Sequence, residues 1–377
     1  MKKQLSLLLL AAGIGALAAC NHRMENEERL SAEETPQVPL VVRIGIPDES
    51  KAASDAVKDY QINKVQVFVF DHNGVLETDY YKELAGSETR TSVTLNTLTG
   101  SKTLYAVLNH ERIKFTHRVS RLSELEGLLS DLSMNSPGQL VMSGKNTLTV
   151  LEYDVNKNAS ATPQGIDIYV KRLVCQILLD KVTVDFTGTS LEGGSLNIQE
   201  IYLKNVVGKC PLGMSGIGTP GSSDVRPLPL ADSEQGNYSN WYNKGTLQED
   251  APEVTFDRLD LSCNTSGQPT TLSRSLFAYP NRTDTDSHAD SFSQRMTRLV
   301  IKARVRASLY ADIDKDSYYV FDLPVLEGNH IYNVQNIRLT MLGKDNDDKD
   351  DDLQAGRITP TITVDPWSGK TSLNYEF

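Results

Sequence analysis

Residues 39–47 read PLVVRIGIP, and their alternation of side chains is the pattern of a β-strand with one buried face. One face carries Leu40, Val42, Ile44 and Ile46, and the other carries Val41, Arg43 and Gly45. The same period of two recurs in residues 64–70, 102–110, 147–155 and 165–186, and again from residue 194 towards the C-terminus. Many short alternating strands separated by turn residues predict an all-β chain built as two tandem β-sandwiches.

One segment breaks this period. Residues 120–132, SRLSELEGLLSDL, place leucines at 122, 125, 128 and 129 on one helical face, which predicts a short helix decorating a sheet. Strands restart after the turn-rich residues 187–193. We therefore expect an N-terminal sandwich over residues 51–187 and a C-terminal sandwich over residues 188–377.

The N-terminus has the features of an export signal. A basic start is followed by an apolar stretch that ends at Ala19 and is too short for a comfortable membrane span. Residues 17–20, LAAC, resemble the bacterial lipobox, which predicts cleavage between Ala19 and Cys20 and lipidation of Cys20. An ordinary signal peptide with a chance cysteine is the alternative. On the first interpretation, residues 1–19 are removed and residues 20–50 form a propeptide that includes the first strand.

Composition and motifs argue against several functions. The chain has 38 Lys and Arg against 49 Asp and Glu, a net charge of −11, so binding to nucleic acid is not expected. The glycine motif at 216–221 is followed by a proline-rich stretch that cannot open a helix. The acidic triplet 312–316 has Ser317 and Leu323 where a calcium loop needs Gly and Glu. We predict no enzyme activity, no cofactor and no metal.

Two further groups leave alternatives open. Cys175 lies in an apolar strand, which favours a buried thiol, whereas Cys210 and Cys263 could pair in an oxidising compartment. Tyr238, Trp241 and Tyr242 lie in a polar loop. These aromatic side chains could cover a core or stack on a sugar.

Several segments together resemble one family. They are KVQVFVFDHNGVLE at 64–77, SKTLYAVLNH at 101–110, VMSGKNTLTV at 141–150, VKRLVCQILL at 170–179, NHIYNVQNIRLTMLG at 329–343 and ITVDPW at 362–367. In this order, and behind the cysteine at 20, they resemble the major fimbrial subunits (fimbrillins, FimA-type) of type V pili in Bacteroidales-like bacteria. The resemblance implies two transthyretin-like β-sandwich domains.

The resemblance also implies a route of assembly. Precursors of the family reach the outer membrane as lipoproteins, and a trypsin-like surface protease then removes the N-terminal segment with its first strand. The open groove is filled by a C-terminal strand of another subunit, so the expected partners are other copies of the chain and accessory pilus subunits. The implied function is that of a polymerising fimbrium subunit on the cell surface, serving adhesion and biofilm formation.

The implied roles fall on specific residues. The displaced strand is 39–47, with Leu40, Val42, Ile44 and Ile46 facing the core, and the candidate donor contains Ile358, Ile362 and Val364. The donor segment could instead be an ordinary edge strand of its own domain. The segment after the first strand, residues 48–61, contains Lys51 and Lys58 but no Arg, so the candidate processing sites are Lys51, Lys58 and Arg43.

This departure from an Arg site leaves other roles open. A chain that is not cut would be a lipid-retaining anchor, and a tip subunit of the same pilus is a further possibility. A surface lipoprotein that binds polysaccharide through the loop of Tyr238 and Tyr242 is the alternative from another functional class.

Overall fold

The computed structural model describes residues 37–45, 61–88, 90–114, 119–150, 163–213, 241–242, 253–281, 296–307, 309, 312–347, 365–366 and 372–376. Within these ranges the chain is almost entirely β-structure. Its one α-helix there, α1 (Leu122–Gly127), is far too short to cross a membrane.

The N-terminal part folds into two facing sheets. Its strands are β1 (Val38–Gly45), β2 (Ile62–Phe70), β3 (Leu76–Glu88), β4 (Arg90–Thr97), β5 (Gly100–Leu108), β6 (Leu129–Asp131), β7 (Met142–Val150), β8 (Gln164–Tyr169) and β9 (Lys171–Arg172). One sheet has the order β4-β1-β8 and the other β3-β2-β5-β7-β9. The inward side chains of β1 and β2 are buried between the two sheets, so this part is a β-sandwich.

The C-terminal part repeats this design. Its strands are β10 (Cys175–Asp185), β11 (Ser195–Lys204), β12 (Val206–Val207), β13 (Lys209–Pro211), β14 (Trp241–Tyr242), β15 (Phe256–Cys263), β16 (Ser266–Ala278), β17 (Arg298–Ala307), β18 (Ile313–Asp322), β19 (His330–Leu339), β20 (Asp365–Pro366) and β21 (Ser372–Glu376). The two main sheets are β16-β10-β19-β20, with β21 also on β19, and β15-β11-β17-β18. The expected all-β fold with tandem sandwiches is therefore confirmed.

The expected boundary at 187/188 needs correction. Strand β10 pairs antiparallel with β16 and parallel with β19, both of which belong to the C-terminal part. The preceding strand, β9, still pairs with β7 of the N-terminal part. The chain thus passes from the N-terminal sandwich to the C-terminal sandwich between Arg172 and Cys175. Residues 187–193 form a turn between β10 and β11 instead of a linker.

The predicted helix is shorter than its leucine pattern. Helix α1 ends at Gly127, and Leu129–Asp131 forms strand β6. Strand β6 pairs with β13, a partner distant in sequence, and this pairing prevails over the local helical pattern. The helix begins at a carboxylate cap in which Glu124 accepts hydrogen bonds from the backbone N–H groups of Ser120, at 2.6 Å, and Arg121, at 3.0 Å.

The β6–β13 pair also joins the two sandwiches. Beside it, the buried Tyr279 hydroxyl accepts a hydrogen bond from Asn135 Nδ2 at 3.1 Å. The same hydroxyl lies 3.0 Å from Ser130 Oγ and 3.2 Å from the carbonyl of Asp131, to which it can donate. Tyr279 follows β16 of the C-terminal sandwich, whereas its partners belong to the N-terminal one. The hydroxyl therefore ties one sandwich to the other.

The substitution Tyr279→Phe should destabilise the full chain by about 1–3 kcal/mol, because it leaves buried polar partners without the hydroxyl. Chemical denaturation with fluorescence detection measures this change. Tyr169→Phe is the matched control: the Tyr169 side chain is 63% exposed, so its loss should change stability by no more than about 0.5 kcal/mol. Equal unfolding midpoints for the two variants would contradict the assigned role of Tyr279.

Candidate assembly site

Strand β1 is the middle strand of its sheet. Residues Val38–Gly45 pair antiparallel with Arg90–Thr97 of β4, and Leu40–Gly45 pair parallel with Gln164–Tyr169 of β8. Both backbone edges of β1 are thus hydrogen-bonded. Removal of β1 would separate β4 from β8 and leave an unpaired edge on each.

The inward face of β1 is buried in the sandwich core. Val38, Leu40, Val42 and Ile44 are between 0% and 4% exposed. Burial of an aliphatic side chain stabilises a fold by about 1.5–3 kcal/mol, so these four contribute about 6–12 kcal/mol together. Ile46, which was predicted to share this face, lies outside the described residues. A sandwich without β1 would therefore have a long apolar slot between β4 and β8.

The outward face of β1 carries one ion pair. Arg43 Nε lies 2.6 Å from Asp167 Oδ1 on β8, and Nη2 donates to Oδ2 at 3.2 Å. The hydrogen bond from Arg43 lowers the pKa of Asp167, and the same contact raises the pKa of Arg43. A Cβ added at Gly165 would lie 2.5 Å from Arg43 Nη1, so the guanidinium lies directly against this glycine, and a larger residue there would require the end of the Arg43 side chain to shift.

Strand β8, one wall of this slot, is attached to the opposite sheet. Asn146 Nδ2 on β7 donates to the carbonyl of Asp167 at 2.8 Å, and Gln164 Nε2 donates back to the carbonyl of Thr149 at 3.0 Å. At Gly144 an added Cβ would lie 2.3 Å from the carbonyl oxygen of Tyr169, so the two strands approach closely there. These contacts hold β8 against β7 and do not involve β1.

Strand β4, the other wall, is attached through a buried polar group. Thr97, the partner of Val38 in the ladder, donates its hydroxyl to Glu77 Oε2 on β3 at 2.9 Å. Lys102 on β5 forms an ion pair with the same carboxylate, and the Lys102 side chain is 4% exposed. One end of β4 is therefore fixed to the second sheet by contacts that do not use β1.

The C-terminal strands lie on their own domain. β20 pairs antiparallel with residues His330–Ile331 of β19, and β21 runs parallel to β19 from Asn333 to Arg338. The candidate donor residues Ile358, Ile362 and Val364 lie outside the described residues, between β19 and β20. The segment that contains them is thus flanked by elements anchored to the edge of β19.

Other predicted site residues fall in different places. Ala19, Cys20, Lys51 and Lys58 lie outside the described residues. Trp241 and Tyr242 form β14, which pairs with β12, whereas Tyr238 lies outside the described ranges. Asp314 and Asp316 of the acidic triplet bind Arg304, at 2.7 and 3.0 Å.

The three cysteines of the described ranges are free and buried, so Cys210 and Cys263 are not paired in the structure. Burial raises the pKa of the Cys175 thiol to about 12 and that of Cys263 to about 11, and it raises the pKa of Cys210 as well. All three thiols are therefore protonated and unreactive near neutral pH.

Three residues that shape the slot from the β8 side were not predicted from the sequence: Gly165, Asp167 and Asn146. Residues 164–169, QGIDIY, do alternate, and their outward positions are Gly165, Asp167 and Tyr169. A glycine and an acidic residue on one outward face could have indicated a site for a basic side chain. The ion pair between Asp167 and Arg43, however, could be predicted only with knowledge of which strand lies beside β8.

Comparison with known families gives one match. The sequence model of the major fimbrial subunit protein (FimA) matches residues 40–172. The match starts within β1 and ends at the last residue of β9, where the sheets exchange partners. Over residues 40–172 the chain is therefore similar to the major fimbrial subunits. No curated protein matches the sequence.

Solved structures extend the likeness to both sandwiches. A fimbrilin (FimA) from Porphyromonas gingivalis W83 is 15% identical with a TM-score of 0.52, over 89% of this chain and 96% of that one. A cell adhesion protein from Parabacteroides distasonis ATCC 8503 is 17% identical with a TM-score of 0.54, over 87% and 95%. Another from Bacteroides eggerthii DSM 20697 is 14% identical with a TM-score of 0.55, over 90% and 97%. At these identities the likeness shows a shared fold.

The substitution Leu40→Ala should destabilise the N-terminal sandwich of the uncut chain by about 2–5 kcal/mol, because it leaves a cavity in the core between the sheets. Thermal and chemical unfolding measure the loss. Val41→Ala is the matched control on the adjacent, half-buried outward position and should cost clearly less. Equal losses for the two variants would show that the inward face of β1 does not complete the core.

Proposed function

We propose that the chain is a structural subunit of a fimbrium. It is exported as a lipoprotein precursor anchored to the outer membrane through Cys20, and it polymerises by donor-strand exchange after proteolysis removes β1. The assembled fimbrium serves adhesion and biofilm formation, a role without catalysis. The observation that carries the proposal is the position of β1 between β4 and β8, where its loss opens a slot that another strand can fill.

A covalent link keeps β1 in its slot before processing. While residues 46–61 join β1 to β2, β1 competes with any incoming strand at a high effective concentration. A cut in this link converts β1 into a separate peptide that can dissociate and be diluted. Proteolysis then acts as the trigger for exchange, although it removes none of the contacts that hold the slot walls.

The position of Arg43 argues against this residue as the processing site. A protease binds its substrate as an extended segment with free backbone groups, whereas the backbone of Arg43 is paired with β4 and with β8. Its side chain is also engaged by Asp167. We therefore assign processing to Lys51 or Lys58, which follow the strand in sequence.

The donor is the C-terminal segment of a second subunit, with Ile358, Ile362 and Val364 directed into the slot. Its apolar alternation matches that of β1. Donor and acceptor lie on opposite sandwiches of one chain, so each contact between subunits is head-to-tail. Such contacts extend into a filament instead of closing. Donation also requires the chain around β20 and β21 to leave the edge of β19.

Limited trypsin treatment of the full chain tests the processing step. Intact mass should show a product that starts at Ala52 or Asp59, and unboiled gel samples should then show a ladder of polymers. The double variant Lys51→Gln/Lys58→Gln should give neither, because β1 stays covalently attached.

Arg43→Gln is the matched control, and it should be cut and should polymerise as the unchanged chain does. A product that starts at Ile44 would contradict the assignment of the processing site. A ladder formed by the uncut double variant would contradict the requirement for processing and would favour assembly without strand loss.

A further inference from the structure

We propose that Asp167 and Gly165 form a receptor for one basic side chain on the strand that replaces β1, and that Arg357 of a second copy of the chain is this side chain. The inference rests on the proposed strand exchange and adds the register and direction of the donated strand. It is drawn from the ion pair that Arg43 forms in the uncut chain.

The receptor fits a guanidinium group closely. Asp167 accepts two hydrogen bonds from Arg43, at 2.6 and 3.2 Å, in the side-by-side geometry that a guanidinium fork provides. Gly165, two residues earlier on the same face, leaves the space that Arg43 Nη1 occupies, since an added Cβ there would lie 2.5 Å away. Asp167 supplies the negative charge, and Gly165, which has no side chain, leaves space for the guanidinium group.

The receptor stays in place when β1 leaves. The peptide carbonyl of Asp167 accepts from Asn146 of β7, and Gln164 binds the carbonyl of Thr149. Both contacts lie on the side of β8 that faces β7. The Asp167 carboxylate would then lie at the edge of an apolar slot without the partner it has in the uncut chain. An incoming strand with a basic residue at the place of Arg43 restores that pair.

A charge is needed because the apolar pattern does not fix the register of the donor. A slip by two residues keeps Ile358, Ile362 and Val364 on the same face, so several registers bury similar side chains. Arg357 is the only Lys or Arg between residues 350 and 369. It directly precedes Ile358 and therefore lies on the outward face, as Arg43 does in β1.

The same position sets the direction of the donor. With Arg357 at the place of Arg43 and the strand running opposite to β1, Ile358, Pro360 and Ile362 take the places of Val42, Leu40 and Val38. If the donor strand ran in the same direction as β1, Gly356 and Gln354 would take the places of Val42 and Leu40. The reversed strand fills three of the four buried places of β1, with Gly356 at the place of Ile44 and Val364 beyond the place of Val38, so the donor runs antiparallel to β8.

Uptake of labelled peptides tests the receptor. The full chain is cut with trypsin, the trypsin is then inhibited, and peptide 355–366 carrying Arg357, or the same peptide with R357E, is added. The retained peptide is measured after gel filtration. The unchanged chain should retain the Arg357 peptide about two- to five-fold better, the range expected for an exposed ion pair. In Asp167→Arg the preference should reverse. Because two peptides are compared on one protein, any effect of the substitution on overall stability cancels.

The control is Asp257→Arg, which disrupts another exposed ion pair, with Arg274 at 2.8 Å, in the C-terminal sandwich. It should keep the preference of the unchanged chain. Equal retention of both peptides by the unchanged chain, or an unreversed preference in Asp167→Arg, would overturn the receptor while leaving strand exchange intact. If the cut, unchanged chain retains neither peptide, donation of this segment fails and the receptor fails with it.

Discussion

Both backbone edges of β1 are paired, and the N-terminal sandwich depends on this constraint. The strand joins β4 to β8, and its inward side chains complete the core between the sheets. In sequence, however, it lies at the start of the fold and is linked to β2 only through residues 46–61. β1 is the middle strand of its sheet but the first strand in sequence. Its replacement therefore requires no other strand of the chain to change its position.

The surrounding contacts suit the fold to such replacement. β8 is held to β7 by Asn146 and Gln164, and β4 is held to the second sheet by Glu77 and Lys102, so neither wall of the slot relies on β1 alone. The pairing of β6 with β13 and the Tyr279 hydroxyl connect the two sandwiches. In the proposed polymer, a force passed from the donated strand of one sandwich to the slot of the other would act across this junction.

The sequence predicted which residues form strands and which side chains face inward, because these features depend on residues close in sequence. The alternation in residues 39–47 identified the inward residues of β1, because a strand turns successive side chains to opposite faces whatever its partners are. It could not identify those partners. β10 pairs with strands that begin some ninety residues or more later, and β6 pairs with residues 209–211 against its own helical pattern. The Arg43–Asp167 pair joins residues 124 positions apart.

Hydrogen–deuterium exchange of β4 and β8 tests whether one strand leaves the slot and another fills it. We expect the backbone amides of β4 and β8 that point towards β1 to be protected in the uncut chain. They should exchange rapidly in the cut chain after β1 has been separated from it, and become protected again in the polymer. Amides that stay protected throughout, or that remain exposed in the polymer, would contradict the claim that one strand leaves the slot and another fills it.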